Sequence, residues 1–320
     1  DPGLHIRTPR WSSESVWNVL GRLPKWVSEE FSAIRITGPN EELTAGSARL
    51  IGTTKGVEVE ATSGVDALYA IHSYLREFCG TMVTWEGANV PVDGTCERPQ
   101  DFHRKFESTQ IRYFGNPATF SYSFAWWGWP QWERFIDWLA LSGFNMALAP
   151  VGQEAIWAEL WHDLGVSQKG LDDFFSGPAF LAWHRMGSVQ RLGGPMSHEY
   201  LDSQQELNKK IVSRLADLGI VPVLPTFAGF VPREFERQNP QLRYLRNGCL
   251  PHLNETYSCT ASIHPKERAF KEIAKLFIEK QMVVYGDVGD VFSADPFLET
   301  PPAHLTDARW QTASAFGNRN

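Results

Sequence analysis

The sequence predicts an α/β fold, a (β/α)8 TIM-barrel-like domain that is incomplete in this chain and is preceded by a small α+β domain. From residue 111 onwards amphipathic helices alternate with short apolar strands, and a glycine closes each helix, as at Gly143 and Gly219. Parallel neighbours need a crossover helix, so this alternation predicts a parallel sheet. Long loops after the strands and the lack of a G-x-G-x-x-G motif favour a barrel over an open doubly wound sheet. Only about four βα units can be counted, half of a closed barrel.

Residues 1–107 are predicted to form the α+β domain. Residues 57–61 alternate apolar and polar side chains, which indicates a strand. Ser63 and Asp66 then form a capping pattern, and apolar residues at helical spacing follow until Gly80. His72 lies on the apolar face of this helix, so we expect a packed histidine rather than a metal ligand. Residues 81–85 are predicted to form a second strand, and the polar loop 86–101 leads to the domain boundary.

Residues 108–320 are predicted to form the partial barrel. Its predicted strands are 111–116, 144–150, 220–225 and 291–295, and its predicted helices are 130–143, 204–219 and 265–286. The first helix has Pro130 in its first turn and an apolar stripe on one face, formed by Trp132, Phe135, Ile136 and Leu139.

Composition excludes several classes of function. The net charge is -7, with no basic cluster to neutralise a row of phosphates, so we expect no nucleic-acid partner. No apolar run reaches the roughly 18 residues of a membrane span, so we expect no membrane insertion. The scattered histidines form no H-E-x-x-H motif, and we expect no metal site.

The four cysteines occur in two closely spaced pairs, Cys79 with Cys96 and Cys249 with Cys259. These spacings suit local disulfides and match no zinc pattern. A glycosylation sequon, Asn254-Glu255-Thr256, lies between the second pair. Together they favour the oxidising environment of the secretory pathway over the cytosol.

The loops after the predicted strands hold the candidate site residues. After the first strand, Asn116 and Tyr122 would hydrogen-bond a sugar beside a wall formed by Trp126 and Trp127, although a buried aromatic cluster explains the pattern equally well.

The loops after the second strand leave similar alternatives open. Gln153 and Glu154 begin a helix, where Glu154 would contact substrate or simply favour the helix dipole. Further on, Trp183 and Met186 would form the floor of a pocket or pack in the core.

The fourth loop contains Asp295 and Glu299 among aromatic and proline residues. A stiff, partly apolar turn would raise the pKa of Glu299 by desolvation, as a proton donor to a glycosidic oxygen requires. A solvated surface turn is the alternative interpretation of the same residues.

Several segments together resemble the α-N-acetylglucosaminidases of glycoside hydrolase family 89. They are "YSFAWWGWPQWERFIDWLALSGFNMALA", "GQEAIW", "FFSGPAFLAWHRMG", "PVLPTFAGFVP" and "SADPFLETPP", and they follow one another in the same order as in that family. The resemblance implies a small N-terminal domain, a (β/α)8 barrel, a helical C-terminal domain and no cofactor. It also implies hydrolysis of terminal α-linked N-acetylglucosamine from the non-reducing ends of glycans such as heparan sulfate, in the lysosome or outside the cell.

The resemblance further implies a retaining mechanism with two glutamates. Glu299 falls on the acid/base position, whereas the nucleophile is expected beyond residue 320, so this chain would be the N-terminal half of an enzyme. The implied substrate contacts are Asn116, Tyr122, Gln153, Glu154, Trp183, Met186 and Asp295. Self-association into a homo-oligomer is left open.

One departure from the family pattern motivates a second interpretation. Leu298 stands where the family usually has an asparagine that hydrogen-bonds the sugar's second substituent, and leucine can neither donate nor accept. A catalytically inactive, truncated carbohydrate-binding relative is therefore the alternative, and a barrel enzyme of another class is a third.

Overall fold

The computed structural model describes residues 12–105, 110–294, 300 and 302. Its helices are α1 (Ser13–Leu20), α2 (Lys25–Glu30), α3 (Gly64–Phe78), α4 (Trp129–Leu141), α5 (Gln153–Asp163), α6 (Gln168–Asp172), α7 (Leu181–Arg185), α8 (His198–Asp217), α9 (Arg233–Gln238) and α10 (Arg268–Tyr285). Its strands are β1 (Phe31–Ile36), β2 (Ser47–Thr53), β3 (Gly56–Ala61), β4 (Met82–Val83), β5 (Ala88–Asn89), β6 (Phe102–Lys105), β7 (Tyr113–Phe114), β8 (Met146–Leu148), β9 (Val221–Pro225), β10 (Tyr244–Arg246), β11 (Ala261–Ile263) and β12 (Phe292–Ser293). Two 3-10 helices span Ala118–Ser121 and Pro178–Phe180.

The N-terminal region is a four-stranded sheet in the order β1-β3-β2-β6, with α3 packed on it. The cap of α3 is the one that the sequence predicts, because Ser63 Oγ accepts a hydrogen bond of 3.1 Å from the Asp66 backbone N–H. Gly80 follows the helix with a φ of 62°, which suits glycine best. The helix and the strand before it are therefore confirmed.

His72 is a packed core residue, as expected. Its Nδ1 donates to the Leu141 carbonyl at 3.0 Å, and its Nε2 accepts from the Val83 N–H at 3.3 Å. Burial lowers the pKa of His72, so the neutral ring bridges α3 and the end of α4.

The second sheet joins the four strands predicted for the barrel. Its order is β12-β9-β8-β7, and each neighbouring pair is parallel. Strands that neighbour one another in chain order are typical of a barrel, whereas a doubly wound sheet reverses its order at a switch point. Over the described residues the sheet stays open, and its four strands with the three crossover helices between them fit the predicted incomplete barrel.

Three helices cross between the strands of this sheet. The predicted stripe of α4 is buried, and Ile273 and Phe277 of α10 are buried as well. α8 begins at His198, six residues before the prediction, because Ser197 Oγ caps it through the Tyr200 N–H at 3.2 Å.

Several strands differ from the sequence-based prediction. In the N-terminal region the sequence predicts one strand of the main sheet, whereas the structure has four. The predicted strand 81–85 is only Met82–Val83, paired with β5 in a separate hairpin. β10 and β11 form a further antiparallel hairpin that was not predicted.

Both predicted disulfides are present, Cys79–Cys96 and Cys249–Cys259, each with an S–S distance of 2.06 Å. The second closes the loop between β10 and β11. The predicted domain boundary between residues 107 and 108 falls outside the described residues and stays a prediction.

A partly buried ion cluster joins the N-terminal region to the barrel helices. Asp137 of α4 accepts from Arg22, just after α1, at 2.6 and 2.8 Å, and from Arg214 of α8 at 2.9 Å. Among the described helices, none has both the length and the apolar character that crossing a membrane requires.

Candidate active site

The candidate site lies where the parallel strands β7, β8 and β9 end. In a sheet of this kind the carboxyl ends share one edge, and the loops that follow them form the active site of barrel enzymes. The loop 115–128 follows β7, α5 follows β8, and Thr226 follows β9. Thr226 donates its N–H to the Ser293 carbonyl at 2.9 Å, which ties the ends of β9 and β12 together.

Two aromatic residues predicted for the site come together there. The rings of Tyr122 and Trp183 meet edge to face with centroids 5.4 Å apart, and the Tyr122 side chain is 65% exposed. The Ser121 hydroxyl accepts from the Ala182 N–H at 2.7 Å, which fixes α7 against the loop after β7. The two segments that would form the wall of a sugar pocket are thus one packed unit.

Glu154 is buried and paired. It is 3% exposed, and its two carboxylate oxygens accept from Arg185 Nε and Nη2 at 2.7 and 3.0 Å. This two-pronged geometry is the strong form of an arginine–carboxylate pair. Because Arg185 ends the short helix that carries Trp183, the pair holds that helix against the start of α5.

The start of α5 explains why this carboxylate is so well placed. Gly152 has a φ of 71°, and a Cβ there would stand 2.6 Å from the Gln204 carbonyl oxygen of α8. The Gln153 side chain is buried too, since its Nε2 donates to the Pro150 carbonyl and its Oε1 accepts from Trp157 Nε1, both at 3.3 Å. In the structure, both polar residues that start α5 are therefore bonded to protein groups.

Two titratable side chains close to the pair are uncharged at pH 7. His184 is fully buried, and burial lowers its pKa to about 4, so its ring is neutral at pH 7. Its Nδ1 donates to the Val189 carbonyl at 3.2 Å. Burial and the negative charge of Glu154 raise the pKa of Tyr200 to about 12. The charge of Glu154 is thus balanced directly by Arg185.

The other predicted residues are less closely assembled. Met186 is buried directly after α7. Asn116 is exposed, and its Oδ1 accepts from the Ala118 N–H at 3.0 Å, which shapes the turn after β7. Asn254 is also exposed, with its Oδ1 accepting from the Thr256 N–H at 2.8 Å.

Asp295, Leu298 and Glu299 lie outside the described residues. Thr300 is the next described residue, and it is buried against two loops. Its hydroxyl lies 3.2 Å from Ser188 Oγ, and its carbonyl accepts from the Gly248 N–H at 3.0 Å. Ser188 lies two residues beyond Met186, so Thr300 is anchored beside the segment that carries Trp183 and Met186.

Sequence reasoning missed Arg185, Ser121 and Thr300. The signal for Arg185 was a charged residue between Trp183 and Met186 in an apolar segment, but its partner is 31 residues away in the chain. Over residues 12–105, 110–294, 300 and 302, no group of three or more His, Cys, Asp or Glu could hold a metal ion.

Comparison with known proteins identifies the family. The family model described as the "Alpha-N-acetylglucosaminidase (NAGLU) tim-barrel domain" matches residues 112–316, and that of the N-terminal domain matches residues 18–94. The chain belongs to the α-N-acetylglucosaminidase family. It is 38% identical over 251 residues to the human α-N-acetylglucosaminidase, covering 78% of this chain and 34% of the human protein. The chain thus spans about a third of the length of that α-N-acetylglucosaminidase.

Solved structures agree with this membership in the α-N-acetylglucosaminidase family. A family 89 glycoside hydrolase from Clostridium perfringens, in complex with 2-acetamido-1,2-dideoxynojirmycin, superposes with a TM-score of 0.84 at 25% identity, over 95% of this chain and 35% of that one. A variant from the same organism, in complex with its substrate GlcNAc-alpha-1,4-galactose, gives a TM-score of 0.82 at 25% identity, over 92% and 33%. The resemblance and the fold class inferred from the sequence are confirmed.

Proposed function

We propose that the whole protein is a glycoside hydrolase that removes terminal α-linked N-acetylglucosamine from the non-reducing ends of glycans. The observation that carries the proposal is the match of residues 112–316 to the family's barrel domain. The bacterial relative is described with GlcNAc-alpha-1,4-galactose as its substrate, which supports a glycan with this terminal sugar. Heparan sulfate is such a glycan, and we propose it as one substrate.

We propose that Glu299 is the general acid/base. It follows β12, and catalytic residues of barrel enzymes come from the segments after the strands. Anchoring of the adjacent Thr300 to Ser188 and Gly248 supports this assignment. In a retaining enzyme a second carboxylate, about 5 to 5.5 Å from the first, attacks the anomeric carbon. We expect that nucleophile from a segment beyond residue 320.

We propose distinct roles for the remaining candidate residues. Tyr122 and Trp183 would form an aromatic wall, with Met186 behind it, because the first two rings already touch. Glu154 would act through Arg185 by positioning α7, since both of its oxygens bind that guanidinium. The residues proposed to hydrogen-bond the sugar are Asn116, Gln153 and Asp295.

The test compares the whole protein with its Glu299→Gln variant on an α-N-acetylglucosaminide whose leaving group is a sugar. General acid catalysis contributes roughly 10² to 10⁴ in rate, so we expect kcat/KM to fall about 1,000-fold. A dinitrophenyl leaving group needs little protonation, so the first step on that substrate should be slowed far less.

The matched control is Glu199→Gln, which removes an exposed carboxylate from the first turn of α8. It should keep the parental kcat/KM. Undiminished turnover of the sugar-linked substrate by the Glu299→Gln protein would remove Glu299 from the mechanism.

A catalytically inactive sugar-binding relative is the second candidate, and Leu298 favours it. If this is the function, calorimetry should detect binding of N-acetylglucosamine while no substrate is hydrolysed. The Leu298→Asn variant would then bind the sugar more tightly by restoring a hydrogen-bonding side chain at that position.

We also propose that the protein passes through the secretory pathway, to the lysosome or outside the cell. Its two disulfides and the exposed Asn254 in a sequon support this route. An Asn254→Gln variant from a eukaryotic host should then have a lower mass by one N-linked glycan.

A further inference from the structure

A second concave surface lies beside the candidate site. It is a groove of about 490 Å³ between the loop after β7 and the first turns of α8, and we call it the tryptophan groove. This volume is within the roughly 300–1,000 Å³ typical of ligand pockets. Its aromatic lining consists of Trp126, Trp127, Trp129 and Tyr200.

Trp126 is the unusual member of this lining. It is 71% exposed, whereas Phe124, two residues earlier, is 4% exposed and stacks on Trp127 with ring centroids 3.9 Å apart. The loop is therefore braced by Phe124 and Trp127, and Trp126 is not required for that packing. An exposed indole face beside a groove is suited to stacking against the apolar face of a sugar ring.

Polar groups of α8 line the other side of the groove. Gln204 is half-buried, Glu206 and Lys210 are exposed, and all three line the groove. An amide and an ammonium offer hydrogen bonds to hydroxyl or carboxylate oxygens. An aromatic face on one side with hydrogen-bonding groups on the other is the combination that a saccharide needs.

The groove adjoins the candidate site through segments that belong to both. The backbone of Gln204 lies directly against Gly152, where a Cβ would approach its carbonyl oxygen to 2.6 Å. On the opposite wall, Tyr122 precedes Trp126 in the same loop and touches Trp183. The groove and the candidate site therefore share the loop after β7, and they meet where the start of α5 packs on α8.

We propose that the tryptophan groove binds the sugar residues on the leaving-group side of the cleaved bond, with Trp126 as their stacking platform. This inference rests on the proposed glycosidase function and adds a second binding region to it. The groove would select for extended glycans, because a substrate without a sugar leaving group cannot reach it.

The test measures kcat/KM of the whole protein on two substrates. One is an oligosaccharide that ends in α-linked N-acetylglucosamine, and the other is α-N-acetylglucosaminyl fluoride, whose leaving group is a single atom. For Trp126→Ala we expect the oligosaccharide to lose about tenfold more kcat/KM than the fluoride. Trp126→Phe, which keeps an aromatic face, should recover most of that loss.

Val283→Ala is the control, since it trims another exposed apolar side chain, on α10. It should leave the ratio of the two kcat/KM values at the parental value. An equal loss on both substrates, or no loss on either, would overturn the inference. The inference would also be overturned if Trp126→Ala lowered the stability of the whole protein without changing the ratio of the two kcat/KM values. That result would mean that Trp126 packs against another segment of the whole protein, which then covers the groove. If the parental protein hydrolyses neither substrate, the proposed function itself is wrong.

Discussion

Two buried carboxylates, Asp137 and Glu154, use the same partner chemistry at different places. Asp137 accepts from two arginines and joins α4 to α8 and to the N-terminal region. Glu154 accepts from one arginine and joins α5 to α7 at the edge of the sheet where the strands end. The contacts of Asp137 connect the N-terminal region with two helices of the barrel region, and the contact of Glu154 positions one short helix beside the candidate site.

The difference teaches that the location of an ion pair decides what its loss should change. Both carboxylates are nearly buried, so removal of either charge leaves an arginine poorly compensated, which is costly in a protein interior. Loss of Asp137 should appear almost entirely as lost stability. Loss of Glu154 should appear in catalysis as well, because Trp183 and Met186 adjoin Arg185 in the chain.

The largest expected effect on stability is that of Asp137→Asn. The variant leaves Arg22 and Arg214 without their shared negative charge, and the free energy of unfolding should fall by about 4 kcal/mol. Urea denaturation measures this change. The folded fraction should keep its parental kcat/KM. A tenfold loss of kcat/KM would show that Asp137, like Glu154, affects catalysis and not only stability.

The control for this variant is Glu133→Gln in the same helix. Glu133 lies 3.7 Å from Arg22 but is more exposed than Asp137. A partly exposed pair contributes at most about 1 kcal/mol, so the control should be close to the parental protein.

Glu154→Gln should have a somewhat smaller effect on stability, about 3 kcal/mol, because one arginine rather than two loses its counter-ion. Displacement of α7 by an ångström would misplace Trp183, and such a shift can lower kcat/KM about 100-fold. Steady-state kinetics on the folded fraction measures it. Glu159→Gln, on the exposed side of α5, is the control. An unchanged kcat/KM would show that Glu154 only stabilises the fold.

The smallest expected effect is a pH dependence that comes from His184. Its pKa is about 4 in the folded protein against 6.5 for the free side chain. As the pH falls, the imidazole is therefore protonated in the unfolded chain before it is protonated in the folded protein. The contribution of neutral His184 to the free energy of unfolding is complete above pH 6.5 and is lost progressively as the pH falls towards 4. Between pH 7 and pH 5 this amounts to about 2 kcal/mol.

Urea denaturation at both pH values, for the parent and for His184→Asn, isolates this contribution. An asparagine amide can still donate towards Val189 but does not titrate, so the variant should lose about 2 kcal/mol less over the same pH range. An equal pH dependence in both proteins would mean that His184 is not the group responsible.

The parallel sheet was predictable because its signals are local. Each strand is a short apolar run, and each of α4, α8 and α10 has one apolar face. The N-terminal sheet was harder to predict, because β1 and β2 mix buried residues with partly or fully exposed ones without a regular alternation. Their pairing with β3 depends on contacts distant in the chain, which local periodicity does not report.

For the candidate site, the sequence predicted individual residues but not the contacts between them. Tyr122 and Trp183 were both predicted to lie near substrate, and the structure places their rings in contact. The partner of Glu154 could not be predicted, since no spacing rule relates residue 154 to residue 185 across the helices that lie between them. The roles of Glu299 and Asp295 stay predictions.

Substitution of Gly152 would lower activity as strongly as substitution of a residue that contacts the substrate, although the role of Gly152 is purely structural. With its positive φ and the α8 backbone against it, the position has no space for even a methyl group. Substitution would force apart the two helices that meet there and would tilt Glu154 away from Arg185. A mutational scan scored by activity would therefore rank this glycine with the residues that touch the reacting sugar, although it contributes only the absence of a side chain.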